Sequence, residues 1–144
     1  MVFEVDSRIE SSCLWLTDWS LSSLYLKKDA NFPWIILVPR VDNIQEIYQL
    51  SQVNRQLVIE EIAALSRLME EYFKPDKLNV GALGNIVSQL HIHVVARFKG
   101  DKAWPHSIWQ PDLLAATYPE EVLEELVTNI QARASDQEIF LPKK

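Results

Sequence analysis

The sequence predicts an α+β domain built on an antiparallel sheet. Short apolar runs rich in β-branched residues fall into two groups along the chain. One long amphipathic stretch after Ser51 separates these groups, and a second follows Pro119. Runs of strands split by a single long helix favour an antiparallel sheet over repeated strand-helix-strand units.

Cys13-Leu14-Trp15-Leu16 and Ser23-Leu24-Tyr25-Leu26 read as two short strands joined through Thr17-Asp18. Phe32-Pro33 leads into Trp34-Ile35-Ile36-Leu37-Val38, which Pro39-Arg40 ends. That run is short for a helix and continuously apolar, as expected of a central strand covered on both faces. Asp42 or Asn43 is positioned to cap a short helix beginning near Ile44. Ser51 is the expected N-cap of the long helix. Val53, Leu57, Ile62, Leu65, Met69 and Tyr72 form its apolar stripe, with Glu60, Glu61, Arg67, Glu70 and Glu71 mostly off it. Lys74-Pro75 ends it.

Leu78 to Leu83 reads as a strand and Gly84-Asn85 as a turn, with the next strand running from Ile86 to Arg97. Residues 98–109 form a loop punctuated by aromatics. Pro119 opens the last helix, with Val122, Leu123, Leu126, Val127 and Ile130 inward. The expected organisation is one domain over residues 1–133 and a tail over 134–144.

With 144 residues the chain has the size of one domain able to bury a core without disulfides or a structural metal. A formal net charge of −6 argues against a nucleic-acid polymer as partner, because such binding rests on neutralising phosphates. It leaves room for a small nucleotide in a local pocket. A single cysteine, Cys13, forms no internal disulfide and no cysteine-based zinc site. Residues 1–6 lack the basic start and apolar run of a signal peptide, and no apolar run reaches bilayer-spanning length. The expectation is a cytoplasmic protein without a membrane partner.

Two of the three histidines, His91 and His93, lie in Ser88-Gln89-Leu90-His91-Ile92-His93-Val94-Val95-Ala96-Arg97. Period-two alternation places Gln89, His91, His93 and Val95 on one strand face, with alternate residues roughly 6.5–7 Å apart. An amide and two imidazoles in a row want either solvent or partners. A neutral imidazole offers one nitrogen that attacks or accepts and one that donates. A histidine can attack phosphorus to give a phosphoramidate that water then opens. His91, in the middle, is the favoured nucleophile, and Gln89 and His93 flank it as donors to phosphate. Structural histidines, or a metal shared by the pair with His106, Asp101 or a more distant carboxylate, are the competing readings. No spaced ligand set supports the metal, and no cofactor is expected.

Gln89-Leu90-His91-Ile92-His93-Val94-Val95 resembles the signature of the histidine-triad (HIT) family, in which three histidines alternate with apolar residues. The Trp34–Arg40 stretch, the long helix after Ser51 and the Asn79…Gly84 approach match that family in order and spacing. The resemblance covers roughly residues 13 to 105. It implies a sheet of about five antiparallel strands with two helices, and a homodimer. It also implies nucleotide hydrolases or transferases acting on the α-phosphate through a nucleotidyl-histidine, for example on dinucleoside polyphosphates. By the same resemblance His91 is the nucleophile and His93 a phosphate ligand. Asn79 belongs to the nucleotide pocket, and the Gly84-Asn85 turn brings backbone amides to the phosphate. Asp29 falls near a ribose-contacting position.

Two departures stand out. Gln89 occupies the first triad position, and glutamine carries no titratable proton. Ile86 stands three residues earlier, where family members often place a serine or threonine, and the nearest hydroxyl is Ser88. Leaving groups of low basicity, such as a polyphosphate, suffer least from the loss of an acid. A nucleotide-binding sensor with little catalytic activity is the alternative, and a purely structural interaction domain is a third class. Arg97 is placed either to meet a phosphate or to pair with a surface acid, and Lys99 is a weaker candidate for the first role. Trp104 and Trp109 serve as a lid over a base or as core.

Overall fold

The computed structural model describes residues 2–137 and residue 139. Helix α1 (Ser7–Ser12) leads into strands β1 (Cys13–Asp18), β2 (Ser22–Lys27) and β3 (Trp34–Pro39). Helix α2 (Gln52–Phe73) crosses to β4 (Lys77–Gly81) and β5 (Ile92–Arg97), and α3 (Glu120–Ser135) follows. The sheet has five antiparallel strands in the order β1-β2-β3-β5-β4. It is the α+β architecture expected.

β3 and β5 are buried at every position, because each has strands on both sides and packed material on both faces. One face packs Leu24, Leu26, Ile35, Leu37, Ile92 and Val94 against Leu65, Leu68 and Met69 of α2 and Ile130 of α3. The other face packs Tyr25, Trp34, Ile36, Val38 and Val95 against Ile9, Phe32, Ala103 and Ile108. This second cover comes from the N-terminal segment and the loop after β5, and it holds the histidines.

Ser51 caps α2, its side chain accepting from the Asn54 N–H at 3.1 Å. Lys74 ends α2 in the left-handed region at φ 52°. The short helix expected near Ile44 is instead a single 3₁₀ turn over Ile47–Gln49, N-capped by Glu46. Asn43 sits at φ 59°, which is incompatible with the extended backbone of an N-cap. α1 carried no signal strong enough for the sequence reading to place it.

The expected α2 stripe buries Leu57, Leu65 and Met69 and packs Ile62 and Tyr72 against the core, and it departs from expectation at two positions. Val53 is 54% exposed and Glu61 is fully buried. Glu61 Oε2 accepts from the N–H groups of Leu21 and Ser22 at 3.2 and 3.4 Å, so a carboxylate closes the β1–β2 connection from below. Burial pushes its carboxyl up. Val122, expected inward on α3, is exposed.

β4 stops at Gly81 rather than Leu83, and β5 begins at Ile92 rather than Ile86. Leu90 N–H donates to Ile44 O at 2.9 Å, which takes this stretch away from the β5 ladder. The tail expected from Ala134 overlaps α3. Ala134 is buried, and its carbonyl accepts from Trp19 Nε1 at 3.1 Å. Of that tail, residues 138 and 140–144 lie outside the described residues.

Leu65 and Val53 test where the α2 stripe enters the core. Leu65→Ala empties a fully buried site and is expected to cost about 3 kcal/mol. Val53→Ala, although on the stripe read from sequence, is expected to cost less than about 0.5 kcal/mol. Chemical denaturation of both variants checks the contrast.

Candidate active site

His91 sits one residue before β5 and His93 lies within it. Their rings are 4.8 Å apart between centroids, tilted at 69°. His91 is 8% exposed and His93 6%. His91 Nδ1 lies 2.7 Å from Gln89 O. A carbonyl only accepts, so Nδ1 carries the hydrogen and the neutral ring holds its lone pair on Nε2. That is the form in which an imidazole attacks an electrophile.

The tautomer of His93 is set from the opposite side. Trp34 Nε1–H donates to His93 Nδ1 at 2.9 Å, which leaves the His93 proton on Nε2. Burial, with smaller contributions from His91 and Lys27, holds this imidazole down at about 3. His93 is therefore a neutral N–H donor near neutral pH and not a proton-releasing acid. Trp109 closes the cluster, 5.2 Å from His93 and 6.3 Å from Trp34 between ring centroids. It also sits over Gly81, where a Cβ would meet the indole at 3.3 Å. Gly81 pairs with His93 across the sheet, so its missing side chain is what admits the indole beside the histidine. Sequence reading gave Trp34 no role beside the histidines. The signal available was its place in a strand that pairs with the histidine strand.

Gly84 has φ +72°, a conformation that favours glycine, and it lines a cleft of about 10 Å³ with Gln45, Glu46, Ala82, Leu83, Gln89, Leu90 and His91. Asn85 is exposed in the adjoining bend. A larger surface concavity, about 1150 Å³, lies elsewhere. It runs between the N-terminal segment and β1–β2, with Gln89 at its edge.

The remaining predicted site residues are drawn into other contacts. Arg97 is 2% exposed. Its Nε and one terminal nitrogen donate to both oxygens of Asp101 at 2.8 and 3.0 Å, and its other terminal nitrogen donates to Asn79 Oδ1 at 2.7 Å. Its plane lies over the rings of Phe32 and Trp104. Asp101 is held at about 2: burial alone would raise its carboxyl, but Arg97 and the N–H groups of Phe98, Ala103 and Trp104 outweigh it. Arg97 is thus buried and ion-paired, and its acid is buried as well. Asn79 shares the sheet face of His93 and turns its carbonyl oxygen to Arg97. Asp29 Oδ1 accepts from Asn31 N–H at 3.0 Å and Ala116 N–H at 3.1 Å, tying the loop before β3 to the segment before α3.

The carboxamide of Gln89 lies against the N-terminal segment. Its Oε1 accepts from Asp6 N–H and its Nε2 donates to Glu4 O, each at 2.9 Å. His106 is exposed. Among the described residues no three His, Cys, Asp or Glu side chains gather where a metal ion would fit.

The family model for the HIT domain matches residues 8–100. No curated protein matches the chain. A histidine triad protein from Marinobacter aquaeolei VT8 is 37% identical, with a TM-score of 0.90 over 96% of this chain and 100% of that one. A histidine triad protein from Bradyrhizobium japonicum is 34% identical, with a TM-score of 0.89 over 92% of this chain and 98% of that one. A Plasmodium falciparum diadenosine triphosphate hydrolase shares the fold at 15% identity, with a TM-score of 0.61 over 94% of this chain and 82% of that one.

The depressed His93 value has a signed consequence for stability. An unfolded chain protonates residue 93 near 6.5, whereas the folded protein resists until about 3. Stability therefore falls as pH drops through that window, by on the order of 4 kcal/mol at its lower end. Asp101 adds to the loss only below its ordinary 3.8. His93→Gln keeps an acceptor for Trp34 and is expected to flatten the acid limb between pH 6.5 and 4. Denaturation midpoints measured across that range check this, and an unchanged limb contradicts it.

Proposed function

The chain belongs to the HIT family, and from that premise we propose that it is a nucleotide hydrolase or nucleotidyl transferase with His91 as its nucleophile. The observation that carries the reading is the carbonyl-fixed tautomer of His91, which leaves Nε2 as a lone pair beside a second, neutral imidazole. The substrate class is a dinucleoside polyphosphate or related nucleoside phosphate ester, attacked at the α-phosphate. The diadenosine triphosphate hydrolase named among the fold relatives is consistent with that class.

In the proposed first step the Nε2 lone pair forms a P–N bond as the P–O bond to the leaving group breaks. The leaving polyphosphate departs as an anion. His93 Nε2–H and the amides of the Gly84-Asn85 turn would supply donors to the non-bridging oxygens. In the second step water attacks the phosphoramidate, the P–N bond breaks, and water's proton is released. Transfer to an alcohol instead of water gives the nucleotidyl transferase form.

Neither Gln89 nor His93 supplies a proton to a basic leaving group, so substrates with a polyphosphate leaving group are favoured over amines and alkoxides. Asn79, Arg97 and Asp29 then act on the pocket through the packing they hold, and not as direct phosphate or ribose ligands. A homodimer in the cytoplasm completes this reading. Among the described residues no helix is long and apolar enough to cross a membrane.

One observation favours a second reading. The position that would titrate holds a glutamine whose carboxamide is already paired with backbone, as in a nucleotide-binding sensor that turns over little.

Turnover of a panel of dinucleoside polyphosphates, nucleoside sulfates and phosphoramidates separates the two. The enzyme reading expects polyphosphates to be cleaved fastest, and His91→Ala to lower kcat by about 10³-fold or more. Micromolar binding of adenosine or guanosine monophosphate by calorimetry, without turnover of any panel member, favours the sensor. Sedimentation of a dilute monomer removes the homodimer.

A further inference from the structure

Gln89 joins two sets of contacts. Its side chain faces residues 4 and 6 of the N-terminal segment, pairing with one carbonyl and one N–H as a strand neighbour would. Its own carbonyl receives His91 Nδ1–H. The segment it holds is fixed at a second point, where Arg8 donates to Ile86 O at 3.0 Å while Asp6 grips the same guanidinium at 2.9 and 3.0 Å. Phe3, Val5 and Ile9 pack with Val87 into the second core. Residues 86–89 are therefore clamped to residues 3–9 by polar and apolar contacts together. These residues belong to no strand, so no ladder holds them in place.

We propose that Gln89 is a positioning residue. Its carboxamide latches the N-terminal segment onto the loop that carries the nucleophile, and so keeps the Gln89 carbonyl aimed at His91 Nδ1. The side-chain chemistry fits this role. A carboxamide presents its donor and acceptor from one end, matching a backbone C=O and N–H two residues apart. The two nitrogens of an imidazole diverge and cannot serve that pair together. The residue is therefore suited to the latch in a way that a histidine at this position is not. The turnover arm of the test rests on the hydrolase reading; the tautomer and exchange arms do not.

The full chain serves as its own probe, in wild type, Gln89→Ala, Gln89→His and Asp6→Pro. Asp6 has φ −53°, which proline adopts, so Asp6→Pro deletes the N–H that meets Gln89 Oε1. Because Asp6 also caps α1, Asp6→Ala is the control that loses the cap and keeps the N–H. Amide exchange over residues 4–9 is expected to quicken by at least about tenfold in both Gln89 variants and in Asp6→Pro, and by less in Asp6→Ala. The ¹⁵N signals of His91 are expected to move from a single Nδ1–H form toward an averaged mixture in the same variants. For the active enzyme, kcat falls in step while KM changes little.

Unchanged exchange and an unchanged His91 tautomer in Gln89→Ala overturn the proposal. So does faster turnover in Gln89→His, which would make the position an acid slot. Loosened exchange and a mixed tautomer in a protein that turns over no substrate uphold the latch and overturn the hydrolase reading instead.

Discussion

Strand β5 is buried at every residue from Ile92 to Arg97, and the rest of the molecule is arranged to make that possible. Its even positions, Ile92, Val94 and Ala96, enter the aliphatic core beneath α2 and α3. Its odd positions, His93, Val95 and Arg97, enter the second core. A slip of one residue in register would exchange the two sets and place an imidazole and a guanidinium among leucines. Pairing with β3 on one side and β4 on the other prevents that, setting Ile36 and Gly81 against His93. The same register puts Trp34 within hydrogen-bonding reach of His93 and opens room above Gly81 for Trp109.

Burial on this scale demands partners for polar atoms, and those partners decide what each group does. Arg97 binds Asp101 and Asn79 at the far end of the strand. His93 accepts from an indole and is held neutral. His91 donates to a backbone carbonyl from Nδ1, which leaves its lone pair on Nε2. Three polar side chains, two on β5 and one just before it, thus have three distinct sets of partners, set by whether the partner donates, accepts or is charged.

Much of this was legible in the residues. The apolar Trp34–Val38 run, the Ser51 cap and the Lys74-Pro75 stop located β3 and α2 because each rests on local chemistry. The pairing of His91 with His93 followed from alternation. What escaped was non-local. Glu61 reads as a surface acid until the β1–β2 connection presents two N–H groups to it. Asn43 reads as a cap until the chain turns left-handed there. Gln89 reads as a member of the histidine row by period two, but β5 starts only at Ile92, and the partners of Gln89 lie more than 80 residues away. Asp29 and Asn79 were singled out by order along the chain, which carries no information about the loop and the guanidinium that engage them.

The central claim is that the His91 lone pair itself attacks phosphorus. The stereochemical course at the α-phosphorus tests it most directly, using a dinucleoside polyphosphate made chiral there by sulfur substitution and hydrolysed in isotopically labelled water. Two successive in-line displacements, the first by His91 and the second by water, each invert the centre and together predict net retention. Net inversion would mean that water attacks directly, and it would contradict the covalent role of His91.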